Sequence, residues 1–117
     1  MDICFEGIGQ MVATFAAREA LTPGMAVTLK DSGTVELGGE GGSPLCGVTV
    51  GAERNGAVAV QIGGVVKAGY PEGKTPSVGW QKLVCDGEGK VSTGGESGVN
   101  CLVLAVDEIE KTAVIKL

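Results

Sequence analysis

The sequence predicts a small all-β protein, a glycine-rich β-barrel or sandwich built from two similar halves. Three observations support this prediction. Glycine accounts for 21 of 117 residues, and most glycines are spread along the chain, which is typical of many tight turns between short strands. Aromatic residues make up only 3% of a chain that is 44% hydrophobic, so the core is expected to be aliphatic. The third observation is that one phrase of sequence occurs twice.

The repeated phrase is PLCGVTVGAERNGAVAVQI at residues 44–62 and VNCLVLAVDEIEKTAVIKL at residues 99–117, with an offset of 55 residues. A second anchor holds the same offset, because 22 residues separate Gly24 from Cys46 and also Gly79 from Cys101. The identical pairs within the phrase are Cys46 and Cys101, Val48 and Val103, and Glu53 and Glu108. The constant offset predicts two halves related by approximate twofold symmetry.

The domain organisation follows from this repeat. We predict halves at residues 24–62 and 79–117, joined by a linker at 63–78, within a single β domain that spans residues 20–117. A four-stranded unit of about 40 residues buries no complete face alone, so the halves are expected to cover each other. Residues 1–19 are assigned to an N-terminal segment outside the repeat.

The strands of the first half follow from alternation and turn chemistry. QMVATFAA (10–17) reads as a strand before a turn, although a helix over this window stays open. MAVTLK and TVEL flank Asp31, Ser32 and Gly33, which predicts a hairpin. After the loose loop GGEGGSP come the strand LCGVTVG, the turn AERNG and the strand AVAVQI.

The second half repeats this order after a break at Gly63 and Gly64. VVKAGY is predicted as a short strand that crosses between the halves, and PEGKTPSVG as a loop. WQKLVC and KVST bracket DGEG, which is a hairpin signal. GGESG is a second loose loop, and CLVLAV and TAVIKL bracket the charged turn DEIEK at the end of the chain.

Composition disfavours several classes of function. The net charge is −5 and lysine and arginine are not clustered, which argues against nucleic-acid binding. No stretch resembles a signal peptide or a membrane span, so we expect a protein that is not secreted. The absence of histidine removes Ser-His and Cys-His dyads, and no C-x-x-C spacing indicates a metal site. We therefore predict no catalytic residue, no metal and no cofactor.

The four cysteines and the acidic turns are the remaining candidates for chemistry. Four reduced, mostly buried thiols are one interpretation of the cysteines, and a Cys46–Cys101 pair brought together by the symmetry is the other. The charge of Asp86 is expected to raise the pKa of the Cys85 thiol beside it. The carboxylates at Glu53 and at residues 107–110 are interpreted as solvated turn residues.

Aromatic and apolar residues are the candidates for partner contacts. Trp80 and Tyr70 are the only residues of their types, and each is either an interface anchor or a cap on the core. Ile3, Phe5 and Phe15 lie outside the repeat, where burial against a partner is expected. We expect residues 1–8 to be mobile in the free protein and to order on that partner.

Three stretches resemble the capsid cement, or head decoration, proteins of tailed phages and prophages: LTPGMAVTL, PLCGVTVGAERNGAVAVQIGGVVKAGY and VGWQKLVCDGEGKV. The resemblance covers roughly residues 20–93 and rests on glycines that open strands and turns. These glycines are Gly24, Gly47, Gly56, Gly63 or Gly64, Gly79 and Gly89. The first twenty residues have no part in it.

The resemblance implies a small all-β protein without catalysis that binds the outside of a head shell. Its implied partners are the major capsid protein and further copies of itself, most often in a trimer, without nucleic acid or membrane. The implied location is the virion head surface, after synthesis in the host cytoplasm.

Two other functions stay open at the level of sequence. A biotinyl- or lipoyl-like carrier needs one exposed lysine at a hairpin tip, and Lys67 in VVKAG is the nearest candidate. A small ligand-binding or enzymatic β-barrel needs convergent carboxylates, which this sequence offers only in turns.

Overall fold

A computed structural model describes residues 9–38, 42–94 and 96–117. Within these ranges the regular elements are all strands, so the all-β prediction is confirmed and residues 11–17 form a strand, not a helix. The expected mobility of residues 1–8 and the proposed contacts of Ile3 and Phe5 lie outside the described residues. The strands are β1 (Met11–Ala17), β2 (Ala26–Asp31), β3 (Thr34–Glu36), β4 (Ser43–Pro44), β5 (Gly47–Thr49), β6 (Ala57–Gly63), β7 (Val65–Gly69), β8 (Gly79–Cys85), β9 (Val91–Thr93), β10 (Val99–Asp107) and β11 (Thr112–Lys116).

The first sheet is a closed barrel with the strand order β1-β3-β2-β5-β6. Its neighbouring strands are antiparallel except for β1 and β3, which are parallel and close the barrel where Ala16 lies opposite Thr34. β1 also pairs antiparallel with β6, from Met11 opposite Gly63 to Ala16 opposite Ala57. The described part of the N-terminal segment therefore belongs to the same folded unit as residues 20–117, which corrects a boundary drawn at residue 20.

The second sheet follows the path β4-β8-β10-β11-β7, with β9 paired to β8. β4 occupies the last two residues of the loop predicted at GGEGGSP and pairs Ser43 with Cys85. The sheet curls until the end of β7 approaches the start of β9, because a Cβ built on Gly69 would lie 3.7 Å from Lys90 Cγ. No β7–β9 ladder forms among the described strands, so this sheet is a half-barrel.

Both halves repeat one strand order. In the first half the antiparallel neighbours run β3-β2-β5-β6-β1, and in the second they run β9-β8-β10-β11-β7. The repeat is longer than predicted, because β7 in the expected linker is the counterpart of β1 in the expected N-terminal segment. Phe15 of β1 corresponds to Ala68 of β7 through their partners Val58 and Ala113, an offset of 53 residues instead of 55.

The core consists of two clusters of buried side chains. The larger one joins the halves, since Ala26, Leu45 and Val48 of the first half pack with Leu83 and other residues of the second. The smaller cluster fills the closed barrel with Leu21, Val27, Val35, Val58 and Val60. The halves therefore cover each other, as the size of a single unit led us to expect.

The β10–β11 turn depends on the side chain of Asp107. Its Oδ1 accepts hydrogen bonds from the backbone N–H groups of Ile109 (2.9 Å) and Glu110 (3.1 Å), while Lys111 adopts a φ of 58°. Glu53 has the equivalent role in the first half, where its Oε2 accepts the Gly56 N–H at 2.8 Å. These carboxylates organise turns, which agrees with their interpretation from the sequence.

We expect Asp107→Ala to lower the free energy of unfolding by about 1 kcal/mol, because two backbone donors lose their acceptor. Asp107→Asn retains an acceptor oxygen and is expected to restore most of this loss. Urea denaturation of both variants beside Glu108→Ala measures the effect. Equal stability of Asp107→Ala and Glu108→Ala would show that the turn does not depend on Asp107.

Candidate interaction surface

Burial protects the thiols of Cys85 and Cys101, and Cys46 is half-buried. Cys46, Cys85 and Cys101 are free in the described structure, so the Cys46–Cys101 disulfide left open by the sequence is not formed. The pKa of Cys85 is raised to about 12, mainly by burial and also by the charges of Cys46 and Asp86, while a hydrogen bond from the Cys46 backbone N–H acts in the opposite direction. The predicted effect of Asp86 is present, although burial contributes more. A thiol with so high a pKa is a poor nucleophile at neutral pH.

The other candidates for chemistry are also occupied by structural roles. The inside of the closed barrel is packed with valine and leucine side chains, which fill the position that a ligand would take in a larger barrel. Among residues 9–38, 42–94 and 96–117, no three histidine, cysteine or acidic residues are arranged to hold a metal ion. The second sheet, in contrast, has an exposed outer surface.

This surface is the outer face of the half-barrel, which we call the Trp80 face. Directly opposed residues of antiparallel strands point to the same side of a sheet. One row crosses four strands, because Trp80 lies opposite Leu102, Leu102 opposite Lys116, and Lys116 opposite Val65. Val65, at the end of this row, is buried. The alternate residues Leu83, Cys101 and Ile115 point inward to the larger core cluster.

Two further rows complete the Trp80 face. Lys82 lies opposite Asn100, two residues along the strands from Trp80 and Leu102. On the other side of the first row, Lys67 lies opposite Val114, and Val114 opposite Ala105. The ladder of β10 shifts register between Val103 and Ala105. A concavity of about 170 Å³ lies at this point and includes Lys67, Ala105 and Val114 in its lining.

The Trp80 face exposes apolar area. Trp80 is 67% exposed and Val78, just before β8, is 65% exposed. Leu102 and Val114 are half-buried within the sheet and continue the apolar surface away from Trp80. A contiguous apolar area on a monomer marks an interaction site more often than a scattered apolar residue does. These four residues therefore define the apolar strip of the Trp80 face.

Glycine backbones set one boundary of this face. Val84 has the same outward phase as Trp80 but is only 5% exposed. A Cβ built on Gly94 would lie 2.5 Å from Val84 Cγ1, and one on Gly42 would lie 2.8 Å from Val84 Cγ2. Since only glycine permits so close an approach, the two backbones seal Val84, and the open surface begins at Lys82.

The charge of the Trp80 face differs from that of the chain. Lys82 and Lys116 are exposed beside the strip, and none of the nine residues in the three rows is acidic, whereas Asp107 lines the concavity together with Lys67. The chain as a whole has a net charge of −5. The face is thus a locally positive area, with an apolar strip between its lysines, on an acidic protein.

The structure separates the five residues predicted for partner contacts. Trp80 is exposed as an interface anchor would be. Tyr70 is only 1% exposed and its hydroxyl donates to the Asp107 carbonyl oxygen at 3.3 Å, so it is a core residue and the prediction of a contact there is corrected. Phe15 is half-buried, because it packs against the smaller core cluster of the closed barrel. Ile3 and Phe5 lie outside the described residues.

Sequence reasoning missed Leu102, Val114, Lys82 and Lys116. They come from three different strands, and no local motif connects them. The alternation within WQKLVC, in which Trp80 and Lys82 share a phase, and within TAVIKL, in which Val114 and Lys116 do, pairs members of the face in advance.

The chain matches no protein-family model, and the search of curated proteins returned no significant relative. Within the described residues, no helix is long and apolar enough to cross a membrane.

Proposed function

We propose that this protein is a non-catalytic virion protein that binds the outside of a phage head shell through the Trp80 face. The observation that carries the proposal is the exposure of Trp80 on a paired, hydrogen-bonded strand. Tryptophan is enriched among residues that dominate binding energy, and a rigid sheet presents it with little loss of conformational entropy. The resemblance of residues 20–93 to head decoration proteins supplies the identity of the shell.

The proposed partners are the major capsid protein and other copies of this chain, with a trimer as the favoured assembly. A shell offers many equivalent sites, so contacts that are weak one by one gain strength when several copies are linked. The proposed location is the surface of the head, with the host cytoplasm as the place of synthesis. The buried thiols and the turn-forming carboxylates are compatible with a structural role.

The two competing functions gain no support. Lys67 lies in the middle of β7, opposite Val114, whereas a carrier lysine stands at the tip of a hairpin. A small ligand-binding barrel needs interior space, which the smaller core cluster fills with aliphatic side chains.

Co-sedimentation with undecorated heads tests the proposal. We expect the wild-type protein to pellet with the heads at micromolar concentration. We expect Trp80→Ala to bind about 30-fold more weakly or worse, as truncation of a binding hot spot costs about 2 kcal/mol or more. Leu29→Ala is the matched control, because Leu29 is 54% exposed but lies on β2 of the closed barrel.

Two results would refute the proposal. One is wild-type protein that stays in the supernatant with heads of the correct phage. The other is equal binding by Trp80→Ala and wild type, which would place the contact elsewhere. Removal of residues 1–8 in the same assay measures the expected contribution of Ile3 and Phe5.

A further inference from the structure

We infer that the Trp80 face recognises an acidic protein surface, one that presents an apolar side chain flanked by carboxylates. This inference rests on the proposed binding role and names the chemistry of the partner.

Two lysines lie beside the apolar strip. Lys82 follows Trp80 by two residues on β8, and Lys116 lies two positions across the ladder from Trp80, with Leu102 between them. Neighbouring side chains on one face of a sheet are about 5 Å apart when directly opposed. A group that packs on Trp80 and Leu102 therefore comes within reach of both ammonium groups.

A protein carboxylate fits this arrangement better than a nucleic-acid phosphate does. A carboxylate beside an apolar group satisfies the lysines while the apolar group covers the strip. A nucleic-acid backbone satisfies the lysines only, and its repeated charge also meets a chain whose net charge is −5. An acidic protein surface supplies both components at the spacing of adjacent side chains.

The concavity at the register shift of β10 lies beside the apolar strip. It borders the strip at Val114, and its lining also includes Ala105, Lys67, Thr112 and Asp107. The Asp107 carboxylate already accepts two backbone N–H groups of the β10–β11 turn. A recess of about 170 Å³ beside a flat apolar strip suits one protruding side chain better than a flat sheet of lipid. This shape favours a protein partner over an anionic membrane.

Intrinsic fluorescence reports directly on this face, because Trp80 is the only tryptophan. The full chain is titrated with a synthetic peptide of alternating glutamate and leucine, and with the same peptide carrying lysine in place of glutamate. A DNA oligonucleotide and phosphatidylglycerol vesicles serve as the other anionic probes. We expect a blue shift of Trp80 emission with the glutamate peptide alone, and binding about 10-fold weaker in 500 mM than in 50 mM NaCl because salt screens exposed charges.

Charge reversal provides the matched control. We expect Lys82→Glu/Lys116→Glu to lose the glutamate peptide and to bind the lysine peptide. Lys30→Glu/Arg54→Glu changes the net charge by the same amount on the closed barrel, away from the face, and is expected to behave as wild type. Both residues of this control are exposed, and circular dichroism checks that each variant is folded.

The outcomes separate the inference from the proposed function. Equal response to both peptides, a loss of binding in both double variants, or a preference for DNA or vesicles would overturn the acidic-protein assignment. Heads that bind wild type and Lys82→Glu/Lys116→Glu equally would overturn it as well, while leaving shell binding intact. Peptide selectivity without head binding would refute the proposed function and leave the inference standing.

Discussion

Gly47→Ala is expected to lower the free energy of unfolding by about 3 kcal/mol, the upper end of the usual cost of overpacking in a rigid core. Gly47 begins β5, and the residues next to it pair with β2 and β6. A Cβ at this position would collide with the backbone carbonyl oxygen of Gln61 and would lie 2.8 Å from Val60 Cγ1. Gln61 is held in the ladder opposite Val48, so its backbone has no room to retreat.

Gly51→Ala is the matched control for this prediction. No heavy atom lies within 4 Å of a Cβ built on Gly51, and its φ is not positive. Its effect is expected to stay within about 0.5 kcal/mol, as at most surface positions. Thermal unfolding measures the contrast, with a fall of roughly 10 °C or more expected for Gly47→Ala alone. Closely similar midpoints for the two variants would show that β5 and β6 are not packed as described.

Stability is expected to fall steeply as the pH rises above 9. The pKa of Cys85 is raised from 9.0 to about 12 in the folded protein, mainly by burial. A group with a raised folded-state pKa favours folding below its unfolded pKa. That contribution is lost as the pH increases from about 9 towards 12, because the unfolded chain gives up the proton first. Burial raises the pKa of Cys46 and Cys101 as well, so they act in the same direction.

The size of the effect follows from proton linkage. One thiol that is ionised only in the unfolded state lowers the free energy of unfolding by at most about 1.4 kcal/mol per pH unit. Guanidinium denaturation at pH 8, 9, 10 and 11 measures the slope for wild type and for Cys85→Ala. The variant is expected to be less stable at pH 8, because it leaves a cavity, but to have a shallower slope. Parallel slopes would show that Cys85 is not the group responsible.

The internal repeat was predicted in part from the sequence. Two anchors at one offset predicted the halves, and the ladders of both sheets confirm that the halves have the same strand order. The outer pair, β1 and β7, was assigned to a tail and a linker because MVATFAA and VVKAG share almost no residues and their offset differs by two. Their equivalence lies in which strand each one pairs with, and pairing is a property of the fold.

The Trp80 face could not be predicted from the sequence, because strand pairing also decides which residues form it. Its members stand on β7, β8, β10 and β11, and a shift of one residue in any ladder would turn one strand's side chains to the other face. No glycine, proline or other turn residue in CLVLAV predicts the register shift within β10. The glycine cover on Val84 depends likewise on two loops that are distant in the chain, at Gly42 and Gly94.

Local chemistry in the sequence by itself determined the β class, the hairpins at Asp31 to Gly33, Asp86 to Gly89 and residues 107–111, the aliphatic core and the twofold organisation. Turn residues and alternation act over a few neighbours, so these features need no distant contact. Only the tertiary structure decided between Tyr70 and Trp80, which the sequence left equal. Tyr70 continues the inward phase of Val66 and Ala68 and is buried in the larger core cluster. Trp80 takes the outward phase of β8, where no described element covers it, because alternation defines two faces and packing between the halves chooses which one is buried.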